Sequence, residues 1–63
     1  MPIIHVEMLT GRTAEQKKAL ADTLTKGFID SCGGHPQSIN VIITEVEAEN
    51  WAIGGTLIAD RQK

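Results

Sequence analysis

The sequence predicts an α+β fold: a β-α-β unit followed by a short C-terminal hairpin, one domain over residues 1–63. Three observations carry that expectation. Apolar residues alternate over Ile3–Leu9 and again over Ile39–Val46, the period of strands. Between these runs, Leu20, Leu24 and Phe28 recur at every fourth position, the spacing of one helix face. Beyond them, Gly54-Gly55 sits between two short apolar segments, a two-residue turn signal.

In the first strand, Ile4, Val6 and Met8 share one face, while Ile3, His5, Glu7 and Leu9 share the other. One face is wholly apolar and one is mixed. Gly11 marks a turn. Thr13 with Gln16 three residues later fits a capping box, in which each side chain satisfies a free backbone N–H, so a helix of about 20 residues should start there. Ala21, Ile29 and Cys32 widen its apolar stripe, which assigns Cys32 to core packing. Gly33 and Gly34 stop the helix, and Pro36 prevents its resumption. "SINVIITEV" is the second strand, and its β-branched run predicts burial on at least part of both faces. Strand, helix, strand makes the two strands parallel, with a right-handed crossover. In the tail, the glycine pair joins Trp51–Ile53 to Thr56–Ile58.

Such a chain is a poor monomer. At 63 residues it buries only about 60% of the surface its unfolded form exposes. Cys32 is the only cysteine, which excludes an internal disulfide. His5 and His35 lack metal-ligand spacing, so neither a structural zinc nor any other metal is expected. A two-stranded sheet is marginal in water and its edges are open, so self-association is expected. The net charge of −2, the absence of a basic run and the presence of only two aromatics, Phe28 and Trp51, argue against nucleic acid. No apolar stretch approaches the roughly 20 residues of a membrane span. The start carries no signal-peptide pattern, and a single free thiol suits a cytoplasmic location.

Few residues offer chemistry. Arg12 falls at the strand-to-helix junction and reads either as a carboxylate clamp or as an ordinary surface arginine. Pro2, once Met1 is removed, is a free secondary amine. Unperturbed α-amino groups titrate at roughly 7.7–8.0, and apolar neighbours or a nearby cation such as Arg12 lower that value. An amine tuned near neutral pH is a good general base. Trp51 reads as a pocket wall or as an interface anchor. Asn40, polar within an apolar strand, meets a ligand or lies at the strand's open end. His5 reads as structural, and Glu45, Glu47 and Glu49 as a solvated or inter-subunit stretch.

Taken together, "MPIIHVEMLTGRTAEQKKAL", "VIITEV" and "NWAIGG" resemble the 4-oxalocrotonate tautomerase family over nearly the whole chain. The resemblance implies β-α-β subunits paired into a four-stranded sheet and assembled as a homohexamer, a trimer of dimers. It implies a cofactor-free isomerase in which Pro2, freed of Met1, moves a proton on an enolised keto acid such as 2-hydroxymuconate, a role in aromatic catabolism. Arg12 would hold the substrate carboxylate, and Trp51 would stand where the family usually has phenylalanine or tyrosine. One position departs: the family archetype carries a second arginine where this chain has Asn40. A charged hydrogen bond contributes roughly 1.5–3 kcal/mol against about 1 for a neutral one, so a monocarboxylate enol such as phenylenolpyruvate fits as well. Hydrolytic dehalogenation needs an added acid, and none occurs near "AIGG". The competing expectation is a catalytically silent or hetero-oligomeric subunit, a small-acid binding module of the same fold.

Overall fold

In the computed structural model, which describes residues 1–61, the chain forms the expected β-α-β unit and hairpin. Strand β1 covers Ile3–Leu9 and helix α1 covers Ala14–Cys32. A 3-10 turn over Pro36–Ser38 leads into β2, Asn40–Val46. A second, over Ala48–Asn50, leads into the hairpin strands β3, Ala52–Ile53, and β4, Thr56–Leu57. A short helix α2, Ile58–Arg61, follows.

The start of α1 is held by the foreseen capping box. The Gln16 N–H donates to Thr13 Oγ1 at 3.1 Å, and the Thr13 N–H donates to Gln16 Oε1 at 2.9 Å. At the other end, the Gly33 N–H donates to the Ile29 carbonyl at 2.8 Å. Gly33 has φ +81°, a conformation in which a Cβ would be strained. Pro36 does more than bar the helix. Its locked φ suits the first position of the 3-10 turn that feeds β2.

Strands β1 and β2 pair in parallel, in register from Ile3 opposite Asn40 to Leu9 opposite Val46. Ile4, Val6 and Met8, with Val41 and Ile43, are half-buried on the face that α1 covers. The helix contributes Leu20, Ala21, Leu24, Phe28 and Ile29 to the same layer. Lys17 ties the helix to β2 through an ion pair with Glu45 at 2.7 Å. At this exposure, such a pair contributes no more than about 1 kcal/mol.

Three expectations change. The β2 ladder begins at Asn40, because Ser38 closes the 3-10 turn; its N–H donates to the His35 carbonyl at 2.9 Å. The hairpin strands are two residues each: Trp51 precedes the ladder, and Ile58 starts α2 instead of ending a strand. Cys32 is exposed, not packed in a core, because it is the last helical residue, next to the Gly33-Gly34 exit.

The second face of the sheet is open. Ile3 is 64% exposed and Ile42 is 48% exposed, and His5, Glu7 and Thr44 are exposed around them. On this side of β2, burial within the chain is confined to the strand's ends, where Asn40 and Val46 are half-buried. No described residue is fully buried. The chain exposes 4789 Å², against about 4,000 Å² expected of a compact monomer of this mass. Its radius of gyration is 14.8 Å, where a compact chain of this length has about 10.6 Å.

Because α1 carries the only layer over the sheet among the described residues, opening its N-terminal cap should weaken the whole fold. Thr13→Ala is expected to cost about 1 kcal/mol, read as a lowered urea midpoint with an unchanged slope. An unmoved midpoint would show that the capping box contributes nothing.

Candidate active site

The residues that offer chemistry fall at the two ends of the sheet. At the leading end, Pro2 is half-buried and immediately precedes β1. Its carbonyl accepts the Asn40 N–H at 3.0 Å, the bond that starts the ladder. Pro2 and Asn40 thus lie side by side, because the parallel register sets the heads of both strands together. The Asn40 side chain donates only a long bond, 3.4 Å, from Nδ2 to the Ser38 carbonyl. With Met1 attached, the Pro2 nitrogen is a tertiary amide and has no basic lone pair. Met1 itself is 90% exposed.

At the trailing end, the Thr10 N–H donates to the Val46 carbonyl at 3.1 Å and closes the ladder. Gly11, at φ +126°, turns the chain toward α1. Arg12 is exposed and stands one residue before the N-cap Thr13. Its Nη1 donates to the Leu9 carbonyl at 3.2 Å, which folds the guanidinium back over the strand end. The helix N-terminus beside it favours anions, as does the guanidinium.

Trp51 belongs to this end too. It is half-buried, and its carbonyl accepts the Ile58 N–H at 2.8 Å, which fixes the hairpin and α2 around it. With Glu7, Val46, Asn50 and Ala52 it lines an open cleft of about 450 Å³. Gly54 and Gly55, with φ of +60° and +86°, make the turn that folds β4 back along β3.

Arg12 does not supply a cation beside Pro2 within one chain. Seven residue steps at about 3.3 Å each separate the Pro2 and Leu9 backbones, roughly 23 Å, and Arg12 lies beyond Leu9. The structure brings Pro2 to Asn40, and places Arg12 and Trp51 at the opposite end of the sheet. Any site that uses all four therefore draws on more than one copy.

Two polar residues of the cleft had no role from sequence, Glu7 and Asn50. For Glu7 the signal was the alternation that puts it on the open face with Ile3 and His5. Its neighbours could not be read before the hairpin was placed. His5 fits its structural reading, its Nε2 lying 2.8 Å from Thr44 Oγ1 across the two strands. The acidic stretch differs from its solvated or inter-subunit reading: Glu45 pairs with Lys17 of the same chain, and Glu47 accepts a long bond, 3.4 Å, from Thr10 Oγ1. Among the described residues, no cluster of three or more potential ligands could hold a metal ion. No helix among the described residues is long and apolar enough to cross a membrane.

Comparison with known proteins agrees along almost the whole length. Residues 2–61 match the model of a family described as tautomerase enzyme. The chain is 41% identical over 61 residues to a probable tautomerase of Bacillus cereus, covering 97% of this chain and 100% of that relative. It is 38% identical over 55 residues to a 2-hydroxymuconate tautomerase of Comamonas testosteroni, 87% of each chain. Among solved structures, TomN, a 4-oxalocrotonate tautomerase homologue in the tomaymycin biosynthetic pathway, superposes with a TM-score of 0.93. Its sequence identity is 33%, with 97% of this chain and 94% of that chain covered.

Proposed function

The chain belongs to the tautomerase family, and we propose that it is a cofactor-independent isomerase whose general base is the amine of Pro2. The observation that carries this reading is the position of Pro2, half-buried at the head of β1 and bonded through its carbonyl to Asn40. Removal of Met1 turns that nitrogen into a secondary amine on a rigid strand. Half-burial disfavours its charged form, as does a cation brought close by assembly.

The substrate is a 2-hydroxydienoate or an enolpyruvate-type acid. The neutral amine takes the proton of the enol hydroxyl, and the C2–O bond becomes a carbonyl as the double bonds shift. The resulting ammonium returns a proton to carbon, to C3 of an enolpyruvate or to C5 of a dienoate. Arg12 of a neighbouring copy grips the carboxylate through paired hydrogen bonds and draws charge toward it. Trp51 walls the site and keeps water from the amine. Asn40 donates to the oxygen on which charge develops.

Assembly completes the site. Open strand edges pair between copies into a four-stranded sheet, and three such pairs make a hexamer. An antiparallel pairing of like edges sets the head of a strand in one copy toward the tail of a strand in the next. That geometry carries Pro2 and Asn40 toward another copy's Arg12. The excess surface and the exposed Ile3 and Ile42 support such an assembly. A cytoplasmic location accompanies this reading.

A second reading, a binding subunit without turnover, has Asn40 in its favour, since a neutral amide stands where the site meets Pro2. It predicts retained Met1, or binding of small acids without reaction.

Two measurements separate these readings. Intact mass of the active protein should show Met1 absent, and Pro2→Ala should lower kcat for enol-to-keto conversion by at least about a hundredfold. Full activity in that variant would reject the base. Arg12→Ala should raise KM and lower kcat together, because the clamp steadies both substrate and transition state. A rise in KM alone would limit Arg12 to binding.

A further inference from the structure

We propose that the site takes monocarboxylates and discriminates against a second carboxylate, and that Glu7 is the residue that sets this preference. The inference rests on the composite site above, in which Arg12 holds one carboxylate.

The charges around that site are few. The cleft beside Trp51 has one charged group in its lining, the Glu7 carboxylate, and no cation. Its other walls are the side chains of Val46, Asn50, Trp51 and Ala52. At the Pro2 end, the neighbour supplied by the strand register is Asn40, also uncharged. On α1, Lys17 is engaged by Glu45 and Lys26 by Asp22. Of the two described arginines, Arg12 stands at the sheet's end, and Arg61 ends α2 outside the cleft lining.

A substrate with one carboxylate satisfies this arrangement. Its anionic end meets Arg12, and its remaining part lies against Trp51 or donates to Glu7. A substrate with carboxylates at both ends does not. Its second anion finds a neutral amide on one side and a like charge on the other. Repulsion by Glu7 acts as a rejecting element, which discriminates more sharply than the loss of one attraction. The chemistry that fits is an enolpyruvate or hydroxydienoate whose far end is an aryl, alkyl or hydroxylated group.

Glu7 stands on the open sheet face and is exposed, so Glu7→Gln keeps its shape and removes only the charge. Asn40→Arg makes the complementary change by adding a cation. The test is calorimetric binding to the assembled, Met1-free protein of two unreactive probes, 3-phenylpropionate and adipate. Wild-type protein should bind 3-phenylpropionate at least about tenfold more tightly than adipate. Glu7→Gln should narrow that ratio by about three- to tenfold, and Asn40→Arg should narrow it as well. Adipate binding as tight as 3-phenylpropionate, or a ratio that Glu7→Gln leaves unmoved, would overturn the proposal. Failure of both probes to bind would overturn it too. Turnover of phenylenolpyruvate by the same samples decides the catalytic reading separately. Discrimination without turnover upholds the inference and rejects the base; turnover without discrimination does the reverse.

Discussion

The parallel pairing of β1 with β2 governs everything else in this chain. One short crossover through α1 returns the chain to the same end of the sheet, so Ile3 meets Asn40 and Leu9 meets Val46. That register gathers Pro2 and Asn40 at one end and leaves Arg12 at the other. A seven-residue strand is too long for a side chain to span. The chain therefore carries Pro2 and Asn40 at one end of the sheet and Arg12 at the other. An antiparallel hairpin of the same two strands would have put the head of one beside the tail of the other, within one copy.

The energetics point the same way. One helix covers one face of two strands, and no described residue is fully buried. A chain that keeps Ile3 and Ile42 in water has left part of its hydrophobic stabilisation unused, at about 25 cal/mol for each Å² that further burial would remove from solvent. The elongated outline, 44 × 24 × 15 Å, has the same origin: the hairpin and α2 extend from the sheet instead of folding over it. Surface that costs stability in isolation is what association between copies would bury. On the proposed reading, a site divided between the ends of the sheet makes that association a condition of function as well.

Much of the fold was legible in the sequence because it is written in local rules. The alternation over Ile3–Leu9, the Thr13/Gln16 box and the Gly33 exit each act over a few residues, and each appears where expected. The Gly54-Gly55 turn is local too, and both residues adopt positive φ. What was not legible depends on three-dimensional neighbours. Pro36 stops a helix by itself, but only the path into β2 decides that it opens a 3-10 turn. Cys32 continues the apolar spacing of α1, yet the helix ends there and the thiol stays in water. Glu7 was one polar residue on a mixed strand face until the hairpin set Trp51 near it. The separation of Pro2 from Arg12 follows from the parallel crossover, but their residue types alone suggested a closer association. Membership of the tautomerase family was legible from the opening, the second strand and the ribbon, and the match over residues 2–61 agrees.

The central claim is that Pro2 and Arg12 act on one substrate from different copies. Mixing two impaired variants, Pro2→Ala and Arg12→Ala, through reversible dissociation tests it most directly. If the site is shared, reassembled mixtures regain activity, because roughly a quarter of randomly assembled sites combine an intact Pro2 with an intact Arg12. If mixtures prepared in this way stay as impaired as their parents while assembling normally, the shared site is contradicted.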